Sequence, residues 1–301
     1  MDVQRRLDPN RVIAALEDAF RRRYPNTLMP VRTQMQLADG ILLIMPAYDR
    51  DGGGLGMKLI MVNDQPAGPE GKIHATYLLL DPHTGTPKLQ IAATHLTEIR
   101  TAAASALATK YLAREDVRVL GIFGTGRQAR SHLKVLRLVR NFEQFLVSGL
   151  DPGQSREFAE QMAQELGAKI ESVNSRACAA ESDVLCTCTT SKVPLFDGHL
   201  IRRGTHINAI GAFQPDTREV DDVTVQRARV VVDTYEGALA EAGDLLIPMN
   251  KGIINRSHIL ADLHEVINGR KPARTGPDDI TLFKSVGNAL EDLVAAELLQ
   301  A

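Results

Sequence analysis

The chain has 301 residues, 44% of them hydrophobic and 24% charged, with a formal net charge of −2. That is a globular composition, long enough for two ordinary domains or one large α/β unit, and it carries no basic footprint for nucleic acid or an acidic membrane. No run reaches the roughly 18 apolar residues of a membrane span, and MDVQRRLDPNRV has no hydrophobic signal core, so a cytoplasmic protein is expected.

Asp8-Pro9 reads as an N-cap with proline at the first helical position, and Val12, Ile13, Leu16, Ala19 and Phe20 supply the apolar face of the helix that follows. Arg5-Arg6 and Arg21-Arg22-Arg23 at its two ends read as solvated charge. From Arg32 to Pro87 the pattern turns to strands. ILLIMPAY, MKLIMVN and ATYLLLD alternate with the turns DRDGGG, NDQPAGPEG and DPHTGTP, which predicts an antiparallel sheet. DRDGGGLG looks superficially like a phosphate loop, but no Lys-Ser/Thr follows it, and a hairpin tip is expected.

Residues 93–113 predict a helix capped by Thr94, with Leu96, Ile99, Ala103 and Leu107 on one side. Strands then alternate with helices: strand 117–123, helix 128–140, strand 144–148, helix 153–166, and strands near 169–173, 183–189, 206–211 and 229–233. Apolar strands separated by helices indicate a parallel sheet covered on both faces. ITLFKSVGNALEDLVAAELL reads as a closing helix, with Leu290, Leu293, Val294 and Leu298 on one side. Cys178, Cys186 and Cys188 lack metal or disulfide spacing and read as small buried hydrophobes, the last two on one sheet face. His74, His95, His132, His206 and His264 show no ligand spacing, so no metal is expected.

GIFGTGRQA matches GxGxxA, with Gly124, Gly126 and Ala129 in the three positions, between a strand and a helix. Gly124 permits a sharp turn, Gly126 lets the backbone approach a pyrophosphate, and Ala129 keeps helix and strand close. The helix start offers free N–H groups and a positive dipole end. A dinucleotide site usually carries an acid at the end of the next strand, where it bonds the ribose hydroxyls. Here that position is Gly149, and Asp151 reads as a helix cap. NAD and NADP both stay open, with a tilt towards NADP(H).

These residues carry a resemblance to the ornithine cyclodeaminase/mu-crystallin family that runs nearly end to end. VRT at 31–33, IMP at 44–46, MK at 57–58, DPHTGTP at 81–87, LTEIRTAAASALA at 96–108, GTGRQA at 124–129, GTHINAIGAFQPDTREVD at 204–221 and ITLFKSVGNALEDL at 280–293 are the matching stretches. The resemblance implies an α/β protein with a Rossmann-type doubly wound parallel sheet over 114–280. A smaller α+β substrate and dimerisation domain over 1–113 would be completed by a C-terminal helix, 281–301. It further implies a homodimer acting on a small imino or amino acid.

Arg32, Lys58 and Arg100 would surround the substrate carboxylate, Lys58 and Arg100 being the catalytic candidates; arginine's fork and lysine's point charge suit that anion. Gly126, Arg127, Gln128 and Ala129 would lie by the pyrophosphate. Thr189 and the 208–212 stretch, with Ile210, Gly211 and Ala212, would lie near the nicotinamide, and Ser285 and Val286 would close over the site.

Two departures bear on the chemistry. Where cyclodeaminases look to carry an Asp, a Lys and a Glu, this chain has Phe213, Thr217 and Leu43. A diamino acid brings a second ammonium that needs an anionic partner out of water. GAFQPDTREVD is closer to the GAxxPDxRELD form of mu-crystallin-like ketimine reductases. The expectation is therefore an NAD(P)H-dependent reductase of cyclic ketimines, whose pocket grips a carboxylate and offers hydrocarbon, Phe213 included, to the rest. The alternatives are ornithine cyclodeaminase (with Asp216 replacing the missing acid), amino-acid dehydrogenation, and NADPH-dependent binding without turnover.

Overall fold

The computed structural model describes Val3–Gln65 and Ile73–Gln300. Most of the turn read at 63–71 lies outside these residues, as does the Arg5 side chain. In chain order, helices α1 (Val3–Arg6) and α2 (Pro9–Asp18) precede strands β1 (Thr27–Leu28), β2 (Thr33–Leu37), β3 (Gly40–Asp49), β4 (Leu55–Asn63), β5 (Ile73–Leu80) and β6 (Pro87–Ala92). Helix α3 (Thr94–Leu112) leads to β7 (Val119–Phe123), α4 (Arg127–Leu136), β8 (Gln144–Ser148), α5 (Pro152–Leu166), β9 (Ile170–Ser172), α6 (Ser175–Glu181), β10 (Val184–Thr187) and β11 (His206–Ala209). The rest is α7 (Asp222–Arg227), β12 (Arg229–Val232), α8 (Tyr235–Glu241), α9 (Gly243–Asn250), β13 (Ile259–Asp262), α10 (Leu263–Ile267), β14 (Thr281–Lys284) and α11 (Ala289–Glu297).

Two compact units emerge. The first comprises the residues up to Ala104 and those from Gly287 onward; the second is Ser105–Val286. In the first, β1-β3-β4-β5-β6 form an antiparallel sheet with β2 paired on β3. The period-2 pattern works as expected: Leu43, Met45, Lys58, Ile60 and Tyr77 are buried on one face, and Ile44, Pro46, Met57, Leu59 and Leu78 on the other are half-exposed. Asp8 caps α2, accepting from Arg11 N at 3.0 Å. Thr94 does not cap α3: it is the first helical residue, and its buried hydroxyl finds no partner. DRDGGG is the β3–β4 hairpin tip, with Asp49 N donating to Gly54 O at 2.8 Å.

The basic runs are only partly solvated. Arg6 donates to Leu299 O at 2.8 Å, and Arg23 bridges Asp49 (2.7 Å) and Glu297 (2.7 Å). Arginine heads at helix ends find partners here that no local pattern announces.

The second unit is an eight-stranded, wholly parallel sheet, β13-β12-β14-β11-β10-β7-β8-β9. Leu120, Ile122, Val184 and Cys186 pack on one face with Leu133, Phe158 and Met162. Phe123, Leu185 and Ile207 pack on the other with Val225, Ala238 and Leu245. Cys186 and Cys188 share the first of these clusters, and burial pushes the Cys178 and Cys186 thiols up to about 12. They are inert core residues.

One sequence reading is corrected here. Residues 281–301 are not one helix: Thr281–Lys284 is strand β14, inserted between β11 and β12, and the helix is Ala289–Glu297. Gly287 at φ +79° separates the two. The apolar residues of TLFK bury a strand on both faces, and so short a run has no period of its own. Strand β13 and the short helices α6 to α10 add to the elements expected from the sequence.

Candidate functional site

The strand order of the second unit reverses at β7, between β8 and β10, and ligands of such sheets bind outside the carboxyl ends at that point. The glycine turn lies there. Gly124 sits at φ +111°, and a Cβ would come within 2.6 Å of Cys188 O, so no other residue fits. At Gly126 an added Cβ would meet nothing within 4 Å, so the fold itself does not demand glycine there. Gly126 is also the N-cap of α4, with no side chain capping the helix. Free N–H groups beneath open space fit a pyrophosphate. Arg127 is exposed on the first turn, Gln128 is half-buried, and Ala129 is fully buried against the sheet.

Beside this turn is a cavity of about 780 Å³, lined by Gly149, Leu150, Ser155 and Arg156 on one side and by Val173, Asn174, Thr189 and Leu195 among others. None of its described lining residues is acidic. A Cβ at Gly149 would meet Ser155 Oγ at 2.6 Å, so a side chain at the usual ribose position would displace that hydroxyl. Asp151 is spent on its helix, accepting from Gln154 N at 2.8 Å. The sequence offers no obvious arginine for a 2′-phosphate; the structure brings Arg156 to the cavity from the second turn of α5.

Thr189 follows β10, and Ile210, Gly211 and Ala212 follow β11, at the same edge. Ser285 and Val286 follow β14, where Asp233 accepts from Ser285 Oγ and Val286 N, both at 2.9 Å. Phe213 packs with Val286 on the same apolar cluster, whereas Asp216, the candidate replacement acid, is exposed. Among the described residues no three His, Cys, Asp or Glu side chains converge as metal ligands. His132 is a core residue between Ser105 Oγ (2.9 Å) and Gln128 O (2.7 Å), and burial lowers its pKa to about 4.

In the first unit the three predicted cations converge although they are far apart in the chain. Lys58 projects from the buried face of β4 and is fully buried; Arg100, from α3, is 4% exposed. Arg32 donates to Gly287 O at 3.1 Å, and a Cβ at Gly287 would fall within 2.5 Å of Arg100 Nη1. What sequence reading misses is the acidic pair. Asp292 Oδ1 lies 2.7 Å from Lys58 Nζ and 2.9 Å from Arg100 Nε, and Glu291 accepts from Arg100 Nη1. Asn288 caps α11 and donates to Glu291 Oε1 at 2.9 Å.

The physical reason for the pair is that cations brought together out of water need counter-ions. Glu291 and Asp292 supply negative charge directly against Arg100, and Asp292 against Lys58 as well. Burial, then Arg100, and more weakly Arg32 lower the Lys58 pKa to about 7 against the pull of Asp292. Leu43 is buried on the same face, cross-strand from Ile60 and diagonal to Lys58.

The chain is similar to several known proteins along nearly its whole length. The structure of Thermococcus litoralis Delta(1)-pyrroline-2-carboxylate reductase in complex with NADH and L-proline is 40% identical and covers 99% of this chain and 94% of its own, with a TM-score of 0.93. An archaeal alanine dehydrogenase dimer with bound NAD is 31% identical over 99% of this chain and 92% of its own, with a TM-score of 0.91. The Rattus norvegicus ketimine reductase mu-crystallin is 36% identical over 276 residues, 90% of this chain and 84% of its own. The model of the ornithine cyclodeaminase/mu-crystallin family matches residues 1–300. The chain belongs to the ornithine cyclodeaminase/mu-crystallin family.

Proposed function

We propose that the protein is an NAD(P)H-dependent reductase of small cyclic ketimines, 1-pyrroline-2-carboxylate or 1-piperideine-2-carboxylate. The observation that carries this reading is the cluster of Arg32, Lys58 and Arg100, held by Glu291 and Asp292, with Leu43 buried on the same sheet face. Arg32 and Arg100 hold the two carboxylate oxygens, Lys58 adds a point charge, and Glu291 and Asp292 keep the cations in register. The bound nicotinamide supplies the hydride. The ring nitrogen arrives protonated, so no side-chain acid is needed to activate the imine carbon.

A diamino acid suits this clamp poorly. Asp292 Oδ2 is buried without a hydrogen-bond partner, but its carboxylate already touches two of the cations at the carboxylate end. A distal ammonium would need a counter-ion of its own, and Leu43 and Phe213 stand in place of the cyclodeaminase acids. The test is a panel of both cyclic imines against NADH and NADPH, with ornithine plus NAD as control. Cofactor oxidation with an imine is expected; its absence, beside proline formation from ornithine, overturns the reading.

The cofactor's phosphate follows from the cavity. With no acid at Gly149 to repel a 2′-phosphate and Arg156 on the wall, NADPH is accepted. Arg156→Ala is expected to raise KM for NADPH about tenfold, the loss of one charge-assisted contact, and to leave KM for NADH within twofold. Equal effects on both would remove Arg156 from the phosphate.

The assembly is a homodimer through the half-exposed sheet face of the first unit, where Ile44, Leu59, Pro46, Met57 and Leu78 form one apolar patch. The related alanine dehydrogenase is a dimer. Leu59→Arg, at the centre of this face, is expected to yield a monomer by light scattering. A dimer that survives the charge would move the interface elsewhere.

A further inference from the structure

Glu219 is fully buried in the second unit, and the reaction proposed above gives it no task. Its Oε1 accepts from Thr189 N and Thr189 Oγ1, both at 2.7 Å; its Oε2 accepts from Thr187 Oγ1 at 2.7 Å and Gly211 N at 2.6 Å. One carboxylate thus ties the end of β10, the segment after it and the segment after β11. The register of those two strands ends at Thr187↔Ala209, just before the tied residues. The two segments press together so closely that a Cβ at Gly211 would come within 2.0 Å of Thr189 O and 2.6 Å of Glu219 Oε1.

Glu219 is itself held from below. Asp244 Oδ1 accepts from the backbone N–H of Glu219 (2.7 Å) and Val220 (3.0 Å), and Asp244 pairs with Lys284 at 2.9 Å. Lys284 in turn donates to Ala209 O (3.1 Å) and Ala212 O (2.6 Å). Segment 209–212 is gripped through its carbonyls by a cation and through an N–H by an anion. Such a charged network is expensive to bury, and well-packed apolar side chains would hold a merely structural turn as well.

We propose that Glu219 is a positioning residue that latches Thr189 and Gly211 into the platform receiving the nicotinamide half of the cofactor. The proposal rests on the nucleotide reading of the second unit. A carboxylate suits the task because both its oxygens only accept; an amide of the same shape turns an NH₂ group against two of the four donors.

The test is Glu219→Gln, titrated with NADH and with ADP-ribose, which lacks the ring. The NADH dissociation constant is expected to rise about tenfold or more, the scale of a buried donor left unpaired, while that of ADP-ribose stays within twofold. Equal weakening of both ligands, or unchanged NADH affinity, overturns the proposal. Thr187→Val removes one donor to Oε2 from inside β10 and is measured alongside, should the glutamine variant fail to fold. It is expected to weaken NADH selectively by about threefold, and an unchanged ratio of the two constants overturns the latch. A wild-type protein that binds ADP-ribose, NADH and NADPH equally poorly would instead overturn the nucleotide reading itself.

Discussion

Asp292→Ala is expected to lower kcat/KM for the imine on the order of 10²-fold, the penalty of a small misplacement of the groups that orient a substrate. Asp292 Oδ1 is the atom shared by Lys58 Nζ and Arg100 Nε, so its removal frees both cations at once. It also leaves Lys58, fully buried, without its counter-ion. Breaking a buried ion pair from one side costs about 3–5 kcal/mol, so the denaturant midpoint should fall as well. Asp292→Asn separates the two effects: it keeps the shape but removes the charge that favours the Lys58 ammonium. Steady-state kinetics at saturating NADPH, with a urea titration of each variant, read the outcome. A kcat/KM within twofold of the parent would mean that the substrate carboxylate is held elsewhere.

The second large effect is on pH. Lys58 has a pKa of about 7 in the free protein because burial and the neighbouring arginines disfavour its charge. Affinity for a ring carboxylate should therefore fall above pH 7, approaching tenfold per unit, as the ammonium becomes an amine. Pyrrole-2-carboxylate is the suitable probe, because its ring nitrogen is not basic and cannot itself contribute that limb. In turnover the bound carboxylate of the imine favours the charged lysine, so the limb in kcat lies at higher pH than the limb in kcat/KM.

Stability moves in the opposite sense. The folded pKa of Lys58 is below its unfolded value, so between about 7 and 10.5 the unfolded chain binds more protons, and the contribution of Lys58 to stability rises with pH. Lys58→Met should abolish both slopes, leaving weak affinity that does not change across this range. A parent protein whose probe affinity is flat from pH 6 to 9 would contradict the titration.

The parts of the site that are legible in the sequence are those whose physics is local. Gly124, Gly126 and Ala129 declare a strand-turn-helix within a few residues, and the structure places them at the reversal of strand order. Arg32, Lys58 and Arg100 are legible only through the family's motifs, because nothing in their own neighbourhoods says that they meet. Glu291 and Asp292 are not legible at all. In NALEDLVAAE the apolar positions define a face, and acids off that face are assigned to water, yet both are fully buried against cations from β4 and α3.

Glu219 is hidden for the same reason, since three of its four donors come from Thr187 and Thr189, at least 30 residues earlier. Arg156 escapes a search for a phosphate grip that stops at the strand end, whereas the helix after it returns the side chain to the cavity. Thr281–Lys284 reads as helix because four apolar-rich residues before a helix extend its pattern smoothly; only tertiary pairing on both edges makes them a strand.

That inserted strand has a consequence for biosynthesis. During translation, β7 to β11 and β12 to β13 emerge from the ribosome as two fragments whose facing edges, β11 and β12, never pair with each other. Both wait for Thr281–Lys284, made after them, to supply hydrogen bonds to either side. Helix α11, which brings Asp292 to Lys58, emerges later still. A nascent chain stalled before Thr281 therefore carries two open sheet edges, and Lys58 has not yet met its carboxylate partner.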